Sequence, residues 1–346
     1  MKKIIVLGLI LLLTGGMLFA VDVKLDFPSN PFVNFNNALG EFQKDANEIL
    51  GKFEQMNDLV NGMANASSFA ADGATMRNFI GYKKFSVAIG TMVGVQAPSY
   101  NFLDAVDNID DANDIYAGIN AQVVTVSAGV NLGFLVEGLY ASAKFGKFSM
   151  SIEDFDINMY SFGLFAQYQL IESKTILMAS WKGVQVGTGF VYYSGDVSYK
   201  TDVGTIETDV TLAGGTGKLA FDPDLEIKLA TSGLKIPIEI MTGVRVAVVD
   251  ISFGLGVDIN VRSNVDLTFD VEGPAHITPD AGGSRIDGTA SVGGGTEGGR
   301  ANIFSPKLMT GVGFSLGPVK LDIPITYYFG TKGPGANIGL TGAFVL

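Results

Sequence analysis

The sequence predicts an all-β fold: a closed antiparallel transmembrane β-barrel of about 12 strands, or 14, preceded by an N-terminal amphipathic helix. Three observations carry this. From residue 85 onward, segment after segment places apolar residues at every second position. The connections between segments alternate between short and long. The final stretch is itself such a segment, with Ala336, Ile338, Leu340, Phe344 and Leu346 on one face. A half-apolar strand at a chain end frays in water unless neighbours clamp it. Closing a barrel supplies those neighbours and removes both unpaired edges, which hydrocarbon cannot solvate.

Residues 1–20 read as a secretory signal peptide. Lys2 and Lys3 precede the apolar run IIVLGLILLL, and Gly15, Gly16 and Ala20 lead to a cut after Ala20. The run is short of the roughly 20 apolar residues a spanning helix needs. Leu18 stands where a small residue is preferred, so a retained anchor is the other reading. The chain has no cysteine. An outer-membrane protein that is not a lipoprotein, held together without disulfides, is therefore expected.

Removing the signal leaves 346 − 20 = 326 residues and takes the net charge from −12 to about −14. That balance argues against nucleic acid, whose phosphates need a basic surface. After the signal, no uninterrupted apolar run is long enough for a transmembrane helix.

Residues 21–79 precede the barrel. Within them, 36–66 change period: Leu39, Phe42, Ala46, Ile49, Phe53, Met56 and Val60 recur at three- and four-residue spacing. This is an amphipathic helix, which Asn36 or Asn37 can cap. Its apolar stripe needs a cover, supplied by the periplasmic rim, by copies in a trimer, or by the barrel mouth if the helix is a plug. The small-residue run ASSFAADGAT reads as the link to the first strand.

Residues 80–346 are the barrel. FSVAIGTMVGV sets Phe85, Val87, Ile89, Val93 and Val95 against Ser86, Ala88, Gly90 and Gly94. VVTVSAGVNLGF, YSFGLFAQYQL and DISFGLGVDINVR alternate in the same way. Aromatic residues gather near strand ends, among them Tyr82, Trp181, Tyr192, Tyr327 and Phe329, where a membrane interface would hold them. Long external loops are expected near 97–117, 147–157 and 273–305, and the count across 195–233 stays open between one strand and two. Taking Gly317-Pro318 as a two-residue turn pairs Leu316 with Val319, Phe314 with Leu321 and Val312 with Ile323, apolar on apolar throughout. Taking Val249-Asp250 as another pairs Val248 with Ile251 and Val246 with Phe253. Pro237 and Pro324 fall inside strands, where proline marks a bulge or a locally weakened wall.

Parity assigns Lys144, Glu239, Arg245, Asp258, Arg262, Lys320 and Asp322 to the lumen, either paired across it in support of the wall or lining a weakly selective pore. Asp104, Asp107, Asp110, Asp111 and Asp114 cluster in one loop, without the spacing or glycine of an EF-hand, so no metal is expected. GFSLG (Gly313–Gly317) matches a hydrolase motif in letters, but a hairpin follows and the only histidine, His276, is distant in sequence. GGGTEG (Gly293–Gly298) reads as loop. No catalysis and no cofactor are expected.

The order of parts, a signal, an amphipathic helix and a barrel opening on GYKKFSVAIGTMVGV, resembles the outer-membrane barrel proteins of spirochaetes. It is more distantly similar to FadL-type long-chain fatty-acid transporters, whose hatch element the NPF at Asn30–Phe32 matches poorly, so no ligand-binding residue is carried over. Leu340, Phe344 and Leu346 resemble the terminal signal read by the barrel-assembly machinery. The expected partners are outer-membrane lipid, that machinery, and either small or hydrophobic solutes or surface ligands. Two functions follow. One is a channel or transporter, porin-like or closed by the helix. The other is a barrel anchor whose external loops act as an adhesin. About twelve strands enclose more space than side chains need fill, which favours transport. The sequence leaves monomer or trimer open.

Overall fold

The computed structural model describes residues 22–27, 57–75, 84–97, 116–212, 215–280, 282, 284–330 and 333–346. They form one antiparallel sheet of fifteen strands and one helix. The strands are β1 (Asp22–Asp26), β2 (Phe85–Gln96), β3 (Gly118–Asn131), β4 (Leu139–Ile152), β5 (Phe155–Ile171), β6 (Lys174–Ile176), β7 (Ala179–Asp202) and β8 (Ile206–Leu212). They continue with β9 (Gly215–Phe221), β10 (Asp224–Val246), β11 (Val249–Pro279), β12 (Ile286–Gly299), β13 (Phe304–Leu316), β14 (Val319–Tyr328) and β15 (Gly335–Val345). The helix, α1, spans Asn57–Ala70.

The pairings return to their start. β2, β3, β4, β5, β7, β10, β11, β13, β14 and β15 each bond the next, and β15 bonds β2 from Gly335↔Gln96 to Val345↔Ser86. The closed ring thus has ten strands rather than about twelve. β1, β8, β9 and β12 lie beyond it. β7, β10 and β11 run 24, 23 and 31 residues, far more than the 9–11 that cross a bilayer. Their excess, joined by β12, β9, β8 and β1, forms a sheet that outruns the ring on the long-loop side. Val261–Pro279 alone adds roughly 60 Å of strand at about 3.3 Å per residue.

Two expected loops are therefore strand. Residues 147–157 are the end of β4, a two-residue turn at Glu153-Asp154, and the start of β5. The 273–305 stretch contains the end of β11, all of β12 and the start of β13, and the GGGTEG run is ladder. Beyond a bilayer a sheet has no lipid face, so its strands lose the alternation that identifies them. Of 97–117 only Ala97, Tyr116 and Ala117 lie among the described residues.

The Gly317-Pro318 hairpin has the expected register, Leu316↔Val319 through Val312↔Ile323. The other hairpin turns at Ala247-Val248, with Ala247 at φ 54. It pairs Val246↔Val249 and Val244↔Ile251, not Val246 with Phe253. The two registers differ by an even step, so both keep the apolar faces together and alternation cannot separate them.

Outward positions are apolar around the ring. Ile89, Val126, Phe145, Phe162, Phe253, Leu308, Phe314, Leu321 and Ile338 are all exposed. At its long-loop edge, the Tyr160 and Tyr192 rings lie 5.7 Å apart and Tyr327 meets Phe329 edge-on at 5.0 Å. An outward apolar band edged by aromatic rings is the surface a bilayer requires of a barrel. Leu340, Phe344 and Leu346 belong to that face. The last residue is held by the start of β2: the Leu346 amide donates to Phe85 O at 2.9 Å, and the Lys84 amide donates to Leu346 O at 2.9 Å.

Candidate functional site

The lumen is occupied by α1. The helix starts at the long-loop mouth, where a Cβ on Gly118 would stand 2.4 Å from Gly62 O. Deeper, a Cβ on Gly94 would stand 2.3 Å from Ala66 O and 2.5 Å from Ala70 N. Both contacts are with backbone, so helix and wall meet only because these positions lack side chains. Ala64, Asn65, Ala66, Ser67, Ser68, Phe69, Ala70, Ala71 and Asp72 are all buried. Small residues on every side let a helix fit inside ten strands. The one large ring, Phe69, stacks on Tyr328 of β14 with centroids 3.8 Å apart and planes 13° from parallel.

This placement changes the reading of the N-terminal segment. The helix extends past residue 66 to Ala70, and ASSFAADGAT is the end of the plug and the turn beneath it, not a linker. Ala and Ser runs suit both a flexible link and a close-packed helix, and only the surrounding wall distinguishes them. Of the expected apolar face, Val60 is buried against Ala64, Val265 and Ala301. Leu39, Phe42, Ile49, Phe53 and Met56 lie outside the described residues.

Polar groups bind the helix to the wall at every level. At the mouth, the Arg300 amide donates to Asn61 Oδ1 at 2.6 Å and the Asn302 amide to Asn65 Oδ1 at 2.8 Å. Asn65 Nδ2 donates to Gln96 Oε1 at 3.2 Å and also to the Tyr116 hydroxyl. Burial pushes the Tyr116 phenol above its ordinary value, and the Asn65 bond pulls it back in part. Midway, Ser68 Oγ donates to Asn260 Oδ1 at 2.7 Å and Asn120 Nδ2 donates to Ser67 Oγ at 2.6 Å.

Below the helix lies a buried charge network. Lys235 Nζ donates to Asp72 Oδ1 at 2.7 Å, Ser68 O at 2.7 Å and Asp258 Oδ2 at 3.2 Å, so all three ammonium donors are used. Lys307 Nζ donates to Asp258 Oδ1 and to Glu239 Oε1, the latter at 2.6 Å. On its other oxygen, Asp72 accepts from Tyr328 Oη at 3.1 Å and Asn337 Nδ2 at 3.4 Å. Lys144 Nζ donates to the Ala71 carbonyl and, at 3.4 Å, to Gly73 O. That places a cation where the helix's last carbonyls point. Asp72 thus ties the plug to β10, β14 and β15.

Of the residues assigned to the lumen, Lys144, Glu239 and Asp258 surround the plug. Arg245 sits nearer the short-turn end, where Nε and Nη2 grip Asp250 at 2.7 and 2.8 Å. Lys320 and Asp322 occupy inward positions of β14. Arg262 is a correction, because it faces outward. A β-bulge between Leu234 and Lys235 sets Leu234 opposite Arg262 and Lys235 opposite Asn260, leaving Val261 as the extra residue. One added residue reverses parity, and both Val261 and Arg262 are exposed. The network's other members went unremarked in the sequence. Lys235 shares parity with Glu239, and Lys307 with the inward Gly311 and Gly313. Asp72 gave no such signal, because it sits in a turn.

Pairing lapses beside both prolines. Between β7 and β10 it jumps from Lys235↔Val191 to Ile238↔Thr188, and between β14 and β15 from Asp322↔Thr341 to Ile325↔Ile338. On the outer wall beside Pro237 lies an apolar groove of about 580 Å³, bordered by Ala166, Thr188, Ile238, Leu255 and Val257.

A family model described as Lsa36-like matches residues 33–344. The chain belongs to the Lsa36-like family. The match starts ahead of α1 and ends in β15, so it spans both the helix and the ring. No curated protein matches the sequence. Solved structures similar to this Lsa36-like chain include the translocator domain of the autotransporter NalP from Neisseria meningitidis, at 11% identity and TM-score 0.29, covering 91% of this chain and 99% of that one. The β domain of the Bordetella autotransporter BrkA matches at 14% and 0.30, covering 76% and 100%. A Pseudomonas aeruginosa FadL homologue matches at 8% and 0.26, covering 81% and 98%. Scores this low assign no role to the Lsa36-like chain.

Proposed function

We propose that this chain is an outer-membrane barrel closed by its own helix and used as a surface anchor, with the sheet beyond the ring serving as the ligand-binding surface. One observation carries the reading: the lumen is filled. Around and just below α1 the inward side chains Met92, Val191, Lys235, Asp258, Thr326 and Thr341 are fully buried. The plug is wired through buried ions rather than resting loosely. Ten strands enclose less space than twelve, and a helix takes up what remains. The longest strands of the molecule serve the part outside the ring, which suits a working surface there. That surface includes a depression of about 500 Å³ among Lys200, Asp202, Asp224, Glu226, Asp270 and Glu272.

The test is attachment of cells displaying the full chain to immobilised cell-surface glycoproteins, compared with cells whose β8–β9 hairpin is replaced by a two-residue turn. Attachment by the full chain and its loss in the variant support the reading. Equal attachment by both contradicts it.

A second reading is passage of small or hydrophobic solutes when the helix is released. The lapsed pairing at Pro237 beside an apolar groove favours it. It requires current through the full chain under some condition that breaks the Asp72–Lys235 contact.

A further inference from the structure

We infer that the chain is threaded through its own barrel, so that the segment ahead of α1 is delivered through the lumen and displayed on the long-loop face. Strand β1 fixes one end of the thread. Asp22–Asp26 pair with Thr289–Gly293 of β12, and those residues pair with Asp270–Pro274 of β11. That part of β11 lies beyond the bulge, outside the ring. Asp22–Phe27 are therefore at the long-loop end.

The helix fixes the middle. Gly62 meets Ala117 and Gly118 at the mouth, Ala66 and Ala70 meet Gly94, and Ala74 meets Gly90. Farther along β3, Ser127 Oγ donates to Ala74 O at 3.4 Å. Residue number thus rises as the chain descends.

Lys84 fixes the other end. Its carbonyl accepts from the Asn131 amide at 2.8 Å and its amide donates to Leu346 O, both at the short-turn rim. From Gly90 to Phe85 the wall descends five residues, about 17 Å of strand. The nine steps from Thr75 to Lys84 reach at most about 32 Å. That suffices to go down the lumen and is too short to return over the mouth and descend outside. Short turns face the periplasm and long loops the exterior in barrels of this kind. Asp22–Phe27 therefore lie outside, and the helix is a strap passing through the lumen rather than a hatch seated from the periplasmic side.

This topology does not depend on any ligand. Because the natural chain has no cysteine, single cysteines report position without background. Lys24→Cys, Asp202→Cys and Met178→Cys would each be introduced into the full chain, and intact cells treated with a membrane-impermeant maleimide before and after permeabilisation. Lys24 and Asp202 are exposed at the long-loop end, and Met178 is exposed in a short turn. The expected result is labelling of Lys24→Cys and Asp202→Cys in intact cells, with Met178→Cys labelled only after permeabilisation. Lys24→Cys labelled only after permeabilisation, while Asp202→Cys is labelled in intact cells, overturns the threading and leaves the surface-anchor reading standing. Met178→Cys labelled in intact cells while the other two are protected reverses the barrel and overturns both.

Discussion

Lys235 and Asp72 show at the residue scale what holds the plug. A buried ammonium is tolerated when every donor is met, and removing Asp72 leaves Lys235 to share the single carboxylate of Asp258 with Lys307. Asp72→Asn is expected to destabilise the refolded protein by about 3 kcal/mol, read as a lower urea midpoint. The Asp72→Asn, Lys235→Met double variant should recover part of that loss, since it removes both desolvation costs. A double variant as unstable as the sum of the singles would mean the pair is not the latch. Arg262 supplies the contrast. As an outward residue beyond the bulge, Arg262→Gln should change stability by no more than about 0.5 kcal/mol, whereas Lys235→Gln should cost several times that. Equal costs would return Arg262 to the lumen. Alternation in the sequence placed six of the seven charges on inward positions and failed at the seventh, because a one-residue bulge has no apolar signature when its neighbours are Asn260, Val261 and Arg262.

At the scale of elements, ring strands and the Gly317-Pro318 hairpin were legible because one face of each strand meets hydrocarbon, whereas the sequence places the Ala247-Val248 turn two residues late and reads the 147–157 hairpin as a loop. β13, β14 and β15 alternate strictly, and the register of their turn could be read from the chain. The plug was harder to read. An amphipathic helix announces itself by a stripe, but a helix enclosed on all sides needs small residues on all sides. The Ala64–Ala71 run therefore resembles a linker. Its close approach to β2 gives a sharp expectation: Gly94→Val should displace α1, because its side chain would collide with the Ala66 carbonyl rather than with a yielding side chain. The check is protease protection of the segment 57–75 in the refolded variant, which should fall sharply. Full protection would show that the helix packs elsewhere. The terminal strand offers a second expectation. Truncation of Phe344–Leu346 removes the bonds from Leu346 to Lys84 and Phe85 and exposes the start of β2. Loss of the heat-modifiable folded band on gels is expected, and an unchanged band would deny the closure a structural role.

For the whole molecule, the balance between a channel and an anchor turns on volume. The sequence suggested about twelve strands and hence spare space. The barrel instead closes with ten, and the longest strands build outward with β1, β8, β9 and β12. β12 lies in a stretch that reads as loop and β1 in the segment ahead of the barrel, because a strand with no lipid face lacks the one-sided apolar alternation that identifies a barrel strand. With α1 and its ion network inside the lumen, the role we propose is that of a closed support for an external sheet. The most direct measurement is single-channel conductance of the refolded full chain in planar bilayers, with heat-modifiable mobility confirming that the barrel has formed. Sealing by α1 predicts no conductance steps from the full chain, and steps from Gly94→Val, in which the helix is displaced. Steady stepwise current through the full chain, with residues 57–75 still protected from protease, would contradict it.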